Sequence, residues 1–173
     1  MKTKLFRFVV SSILVLGLAI PGAAFAGDAG KGCKNTGTWF GVDNLEDKIP
    51  TGWMATVTGQ SADHGVNAFE YPTFNSALFG LPDAHGMSAD RGVWQRLDGD
   101  TFAYSFMGIA VDENNITLYL LRVSGEVTIS SDCMSEEITA LLEIFWPGNS
   151  PFVGEADLAW QLPVHYGYRY TLD

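Results

Sequence analysis

Apolar side chains recur at every second residue over most of this chain, and the spacing of three and four typical of helices is nearly missing after residue 26. The clearest case begins at Thr101, where Phe102, Tyr104 and Phe106 alternate with small residues. A period of two places such side chains on one face of a β-strand. The pattern therefore predicts an all-β domain.

About eight or nine strands are expected, separated by turn residues at the spacing of an antiparallel barrel or sandwich. Asp98 and Gly99 form the pattern of a tight hairpin, and residues 112–115 and 146–149 form further turns. The run 138–146 also fits a short helix capped by Ser135, but we favour a strand. The expected strands are residues 38–42, 53–58, 93–97, 101–106, 116–123, 127–129, 138–146 and 158–170, the last interrupted by Pro163.

One long connection, residues 59–91, is rich in Gly, Pro, Asn, Asp and Ser, and only residues 66–71 within it resemble a strand. Long ordered connections often carry function. The sequence leaves open whether this one covers the end of a barrel or only links two strands.

The first 26 residues have the pattern of a signal peptide. Three basic residues precede an apolar stretch at residues 9–20, and Ala24 and Ala26 fit a signal-peptidase site. The alternative, a membrane anchor, needs about 20 apolar residues, more than this stretch supplies. We expect cleavage after Ala26, one domain over residues 27–173, no membrane contact after cleavage, and a periplasmic or secreted protein.

Charge and cysteine content agree with an exported chain. The whole chain has a net charge of −10, and removal of residues 1–26 takes three of its 10 basic residues and none of its 20 acidic ones, leaving −13. Such a charge disfavours nucleic acid and anionic membranes as partners. The two cysteines, Cys33 and Cys133, are expected to pair in an oxidising compartment. Closing so long a loop would stabilise the fold by roughly 4–5 kcal/mol.

Gly37, Thr38 and Trp39, at the first strand of an exported all-β chain, resemble the opening motif of the lipocalins and their calycin relatives. The resemblance implies an eight-stranded up-and-down antiparallel barrel whose mouth holds a small apolar ligand. It also implies that Trp39 closes one end of the barrel and that a late arginine, here Arg169, packs over its ring. Allene-oxide-cyclase-like barrels are the other all-β relatives that we consider.

Catalytic and metal-binding patterns are weak. Asp63, His64, Asp83 and His85 lie in the long connection, but their spacing matches no compact ligand motif. Neither a nucleophile elbow nor a phosphate loop is found. We therefore expect no metal and no cofactor, and a binding protein rather than an enzyme. The alternative is an isomerase or cyclase that uses His64, His85 or His165 as its proton carrier.

Aromatic residues make up 13% of the chain and several share one parity of a strand. If that parity faces the inside of a barrel, these rings would line a site for a small apolar or aromatic ligand. The alternative is a filled core in a structural or adhesive module, whose oligomeric state the sequence does not give. The predicted ligand-binding residues are Phe102, Tyr104, Phe106, Tyr119, Trp160, Tyr166 and Tyr168.

Overall fold

The computed structural model describes residues 32–70 and 74–171, so the predicted signal peptide lies outside the described residues. A short 3₁₀ helix, Ser76–Phe79, accompanies ten strands. Within the described part of the chain, no helix is long and apolar enough to cross a membrane. The strands are β1 (Gly37–Val42), β2 (Pro50–Gly59), β3 (His64–Glu70), β4 (Gly86–Met87), β5 (Asp90–Asp98), β6 (Thr101–Val111), β7 (Thr117–Ile129), β8 (Ser135–Phe145), β9 (Leu158–Gln161) and β10 (His165–Tyr170).

The strands close into an antiparallel barrel of eight positions. Neighbours follow the order β1, β2, β3, β5, β6, β7, β8 and β10, and β10 pairs back with β1, where Thr38 faces Tyr170. Short β9 continues the position of β10 along β8, and β4 pairs with the end of β6. The all-β, up-and-down barrel predicted from the sequence is confirmed.

Alternating strand direction gives the barrel two distinct ends. The closed end carries residues 60–63, 99–100 and 130–134, and there the predicted disulfide joins Cys33 to Cys133, with their Cα atoms 5.4 Å apart. The mouth end carries residues 43–49, 74–89, 112–116 and 146–157. A core cluster around Trp39 and Phe102 fills the closed end, and a second cluster around Phe106 and Leu142 lies toward the mouth end.

Three ambiguous segments take defined structures. Residues 138–145 belong to a strand, β8, as favoured over the helix, and the strand ends one residue before Trp146. The supposed long connection is shorter than expected, because β3 forms a hairpin with β2 inside it. The tight turn after β5 consists of Gly99 and Asp100, and Gly99 has a φ of 48°.

The expected break between the strands 116–123 and 127–129 is wrong, because β7 runs through Ser124 and Gly125 without interruption. A Cβ atom at Gly125 would collide with the main-chain oxygen of Thr139 on β8. Glycine inside a strand can mark a close backbone approach as well as a turn, and here it marks the approach.

An extra residue separates β9 from β10 and reverses the faces of the last strand. On β8, Leu142 faces Trp160, whereas Ile138 faces His165, so one more residue lies between Trp160 and His165 than a regular pairing allows. A slip of one residue turns every later side chain to the opposite face. Pro163, which lacks a main-chain N–H, lies at this irregularity.

Candidate functional site

A cavity of about 350 Å³ lies inside the barrel, between the filled closed end and the mouth. Its size falls within the range of small-molecule sites. Within the described residues, no acidic or basic side chain other than a histidine lines it. The lining residues are Trp53, Phe69, Phe74, Asn75, Leu78, Phe79, Tyr104, Phe106, Leu121, Val123, Ile138, Ala140, Leu142, Leu162, Pro163 and His165.

Four nearly parallel aromatic rings cross the interior beside this cavity. The ring centroids of Trp53 and Phe69 are 5.1 Å apart, those of Phe69 and Phe106 are 4.5 Å apart, and those of Phe106 and Tyr104 are 5.9 Å apart. Three different strands, β2, β3 and β6, supply these inward-facing rings. Offset stacking of this kind adds rigidity beyond simple burial. We call these four rings the aromatic stack.

The hydroxyl group of Tyr104 is held in place at the end of the aromatic stack. It donates a hydrogen bond to the main-chain oxygen of Thr139, at 3.1 Å. Burial, with a further contribution from the nearby Glu136 carboxyl group, raises the pKa of Tyr104 above its ordinary value. The phenol therefore stays neutral throughout the physiological range.

The 3₁₀ helix and its flanking residues, 74–80, cover the cavity from the mouth end, and we call this segment the roof. The rings of Phe74 and Phe79 are stacked 5.6 Å apart, and Phe79 meets Trp160 edge to face at 5.3 Å. Gly80 ends the helix in the left-handed conformation, with a φ of 65°. Asn75, at the N-cap position, makes no capping hydrogen bond and is exposed at the rim. The roof therefore covers the mouth of the barrel. This answers the question that the sequence leaves open.

His165 is the titratable group of the lining apart from Tyr104. It begins β10 and pairs with Ile138, deeper in the barrel than Leu162. Burial lowers its pKa below the ordinary value for histidine, so the imidazole is neutral at neutral pH. Neither of its ring nitrogens hydrogen-bonds to another described residue. Both nitrogens, one a donor and one an acceptor, therefore remain available to a bound molecule.

A buried carboxyl group, that of Glu136, lies closer to the closed end than His165. Glu136 on β8 pairs with Gly167, two residues after His165 on β10. Glu136 is 4% exposed, and the absence of a side chain at Gly167 makes room for it. Burial raises the pKa of Glu136 to about 8, although the charge of Arg169 acts in the opposite direction. At neutral pH this group therefore carries its proton, and the floor beneath the cavity is uncharged.

Arg169 follows His165 and Gly167 on the inward face of β10 and lies at the closed end of the barrel. Its guanidinium group lies 4.4 Å from the ring centroid of Trp39, and it donates a hydrogen bond to the main-chain oxygen of Lys34. The indole nitrogen of Trp39 donates to the main-chain oxygen of Asn35 at 3.0 Å. The arrangement of arginine over tryptophan is the one that the lipocalin resemblance implies.

A second buried carboxyl group, that of Asp90, lies on β5 away from the cavity lining. Asp90 is 2% exposed, and neither of its carboxyl oxygens has a hydrogen-bond partner among the described residues. Its side chain lies against Gly108, where a Cβ atom would collide with it. Burial raises the pKa of Asp90 to about 6, while Arg91 acts to lower it.

The residues predicted as ligand contacts fall into three groups. Tyr104 and Phe106 line the cavity. A second group points into the core but does not line the cavity. In this group Phe102 packs against Trp94, and Tyr119 packs against Trp146. Its third member, Trp160, packs against Phe79. The third group, Tyr166 and Tyr168, lies on the face of β10 opposite Gly167 and does not line the cavity.

Several lining residues were not expected. Trp53 shares one face of β2 with Ala55 and Val57, and this alternation is a signal that could have identified it. Phe69 lies in the strand-like part of the supposed connection. His165 was expected only as a proton carrier of the alternative enzyme, and its place in the lining depends on the shift at Pro163, which the alternation does not show. The roof residues gave no periodic signal at all.

The other two histidines do not line this cavity. His64 lies at the closed-end turn, with its Nδ1 atom 2.8 Å from the hydroxyl oxygen of Ser61, and His85 lies in the mouth-end connection. Among residues 32–70 and 74–171, no group of three His, Cys, Asp or Glu side chains is placed to hold a metal ion. Comparisons of the chain with family models, with curated proteins and with solved structures find no match.

Proposed function

We propose that this protein is an exported, lipocalin-like carrier that binds a small apolar or aromatic molecule inside its barrel. The observation that carries the proposal is the cavity of about 350 Å³, walled by apolar side chains and by the aromatic stack. A filled core, the alternative for a structural module, would leave no such space. Arg169 over Trp39 supports the lipocalin likeness, and the disulfide suits an oxidising compartment.

Native mass spectrometry of protein purified from an exporting host tests the proposal directly. We expect a non-covalent mass excess that disappears on denaturation and gives the mass of the ligand. Ligand-free protein should also bind the uncharged fluorescent probe N-phenyl-1-naphthylamine. Absence of both signals would overturn the proposal in favour of a structural module.

A cavity-filling variant locates the binding. Ala140 is buried in the lining, so Ala140→Phe should place a ring in the cavity and abolish probe binding. Ala159, exposed on β9, provides the matched control Ala159→Phe, which should bind as the native protein does. Urea unfolding checks that both variants fold, and Leu142→Phe replaces the first variant if Ala140→Phe does not. Undiminished probe binding in a folded filled variant would contradict the proposed site.

A further inference from the structure

The chemistry of the lining restricts the ligand further than its size does. Within the described residues the lining contains no carboxylate, ammonium or guanidinium group. The hydroxyl group of Tyr104 already donates its hydrogen bond to the main-chain oxygen of Thr139. Burying a charged group without a partner is strongly unfavourable, and burying an unpaired amide or hydroxyl group is unfavourable as well. A charged ligand would therefore bind poorly here.

One polar position remains deep in the cavity. His165 is half-buried and has no hydrogen-bond partner among residues 32–70 and 74–171. Asn75, the other polar lining residue with an uncommitted side chain, is exposed at the rim, where water can satisfy its amide. The ring nitrogens of His165 are accessible and the residue lines the cavity, so a ligand with a hydrogen-bonding group can bind one of them.

The aromatic stack indicates the shape of the remaining part of the ligand. Adjacent rings of the stack are inclined by 25°, 12° and 16° to one another. An aromatic ligand beside the stack can meet these rings in the edge-to-face or offset-parallel geometry that aromatic pairs prefer, a stabilisation that an aliphatic molecule lacks.

We infer that the ligand is an uncharged aromatic molecule with one hydrogen-bonding group, such as a hydroxyl group, and that this group binds the imidazole of His165. The inference rests on the proposed function and assigns the ligand class and the residue that selects it. Because the floor at Glu136 is also neutral, the selection depends on hydrogen bonding and not on charge pairing.

Four ligands with one ring system separate these features: naphthalene, 1-naphthol, 1-naphthoate and 1-naphthylmethylammonium, measured at pH 7 by displacement of N-phenyl-1-naphthylamine. A hydrogen bond worth about 0.5–1.5 kcal/mol predicts that 1-naphthol binds roughly 2- to 12-fold more tightly than naphthalene. The two charged compounds should bind at least roughly tenfold more weakly than naphthalene.

His165→Phe keeps a flat ring and removes both nitrogens. We expect it to abolish the advantage of 1-naphthol while naphthalene affinity changes by less than about twofold. His64→Phe, at the exposed closed-end turn, should keep the advantage. If His165→Phe does not fold, the imidazole NMR signals of the native protein should shift with 1-naphthol and not with naphthalene.

The outcomes distinguish this inference from the proposed function. If naphthalene and the probe bind but 1-naphthol has no advantage that depends on His165, the inference fails and the carrier function stands. Tight binding of 1-naphthoate would also overturn it. If neither the probe nor any of the four compounds binds, the proposed function fails as well.

Discussion

The buried carboxyl group of Glu136 should make the stability of this barrel fall as the pH rises. In the unfolded chain a glutamate loses its proton near pH 4.5, whereas the folded protein retains the proton of Glu136 up to a pKa of about 8. Between these values the folded state binds more protons than the unfolded state, so the free energy of unfolding decreases with pH.

The size of the effect follows from the two pKa values. Each pH unit between them changes the free energy of unfolding by about 1.4 kcal/mol, which gives up to about 5 kcal/mol between pH 4.5 and pH 8. The interval from pH 6.5 to pH 8 is the cleanest, with a loss of about 2 kcal/mol. Below pH 6.5 two other groups contribute to the slope. Asp90 also makes stability fall with rising pH, because its pKa is raised to about 6. His165 makes stability rise with pH, because its pKa is lowered.

Urea unfolding at a series of pH values, followed by tryptophan fluorescence, measures this slope. Glu136→Gln should remove the loss between pH 6.5 and pH 8 and should be more stable than the native protein at pH 8. Glu137→Gln, on the exposed face of the same strand, should keep the native slope. Asp90→Asn should change the slope of the curve only at or below about pH 6. Parallel curves for Glu136→Gln and the native protein above pH 6.5 would refute the reasoning.

Three further outcomes are expected in urea unfolding. The double variant Cys33→Ser, Cys133→Ser should lose roughly 4–5 kcal/mol, and reduction of the native protein should reproduce the loss; an unchanged midpoint would contradict the stabilising role. Gly125→Ala should cost about 1–3 kcal/mol, because its Cβ atom would overlap the neighbouring strand, whereas Gly86→Ala has ordinary space and should cost less than about 1 kcal/mol. Arg169→Met should cost about 1–3 kcal/mol, because it removes both the cation over the indole ring and the hydrogen bond to the N-terminal segment; no loss would show that packing alone closes that end.

Alternation along single strands was enough to predict an all-β domain, because the period of two persists wherever one face of a strand is buried. The choice of a barrel over a sandwich came from the resemblance carried by Gly37, Thr38 and Trp39. A residue type that is typical of turns gave a wrong prediction where the residue is required by a contact with another strand. Gly125 resembles a turn in the sequence, but it is required by the approach of β8. The turn chemistry at Gly99 depends on adjacent residues alone, and it was predicted to within one residue.

The candidate site was predicted less well than the fold. Tyr104 and Phe106 follow from alternation on β6 alone, and both line the cavity. Tyr166 and Tyr168 were assigned to the interior by extending the parity of β9 through Pro163, where the pairing shifts by one residue. The same shift brings His165 inward. Only the pairing with β8 reveals it, and a single sequence does not contain that information.

The pairing of β1 with β10 has a practical consequence for how this protein can be attached to other molecules. Gly32 and Thr171, the first and last described residues, both lie at the closed end, on the side opposite the roofed mouth. A tether joined at either end of the described chain would leave the entrance to the cavity facing outward. For the same reason a linker could join Gly32 to Thr171, and circular permutants could then be opened at the closed-end turns 60–63 or 99–100, away from the binding site.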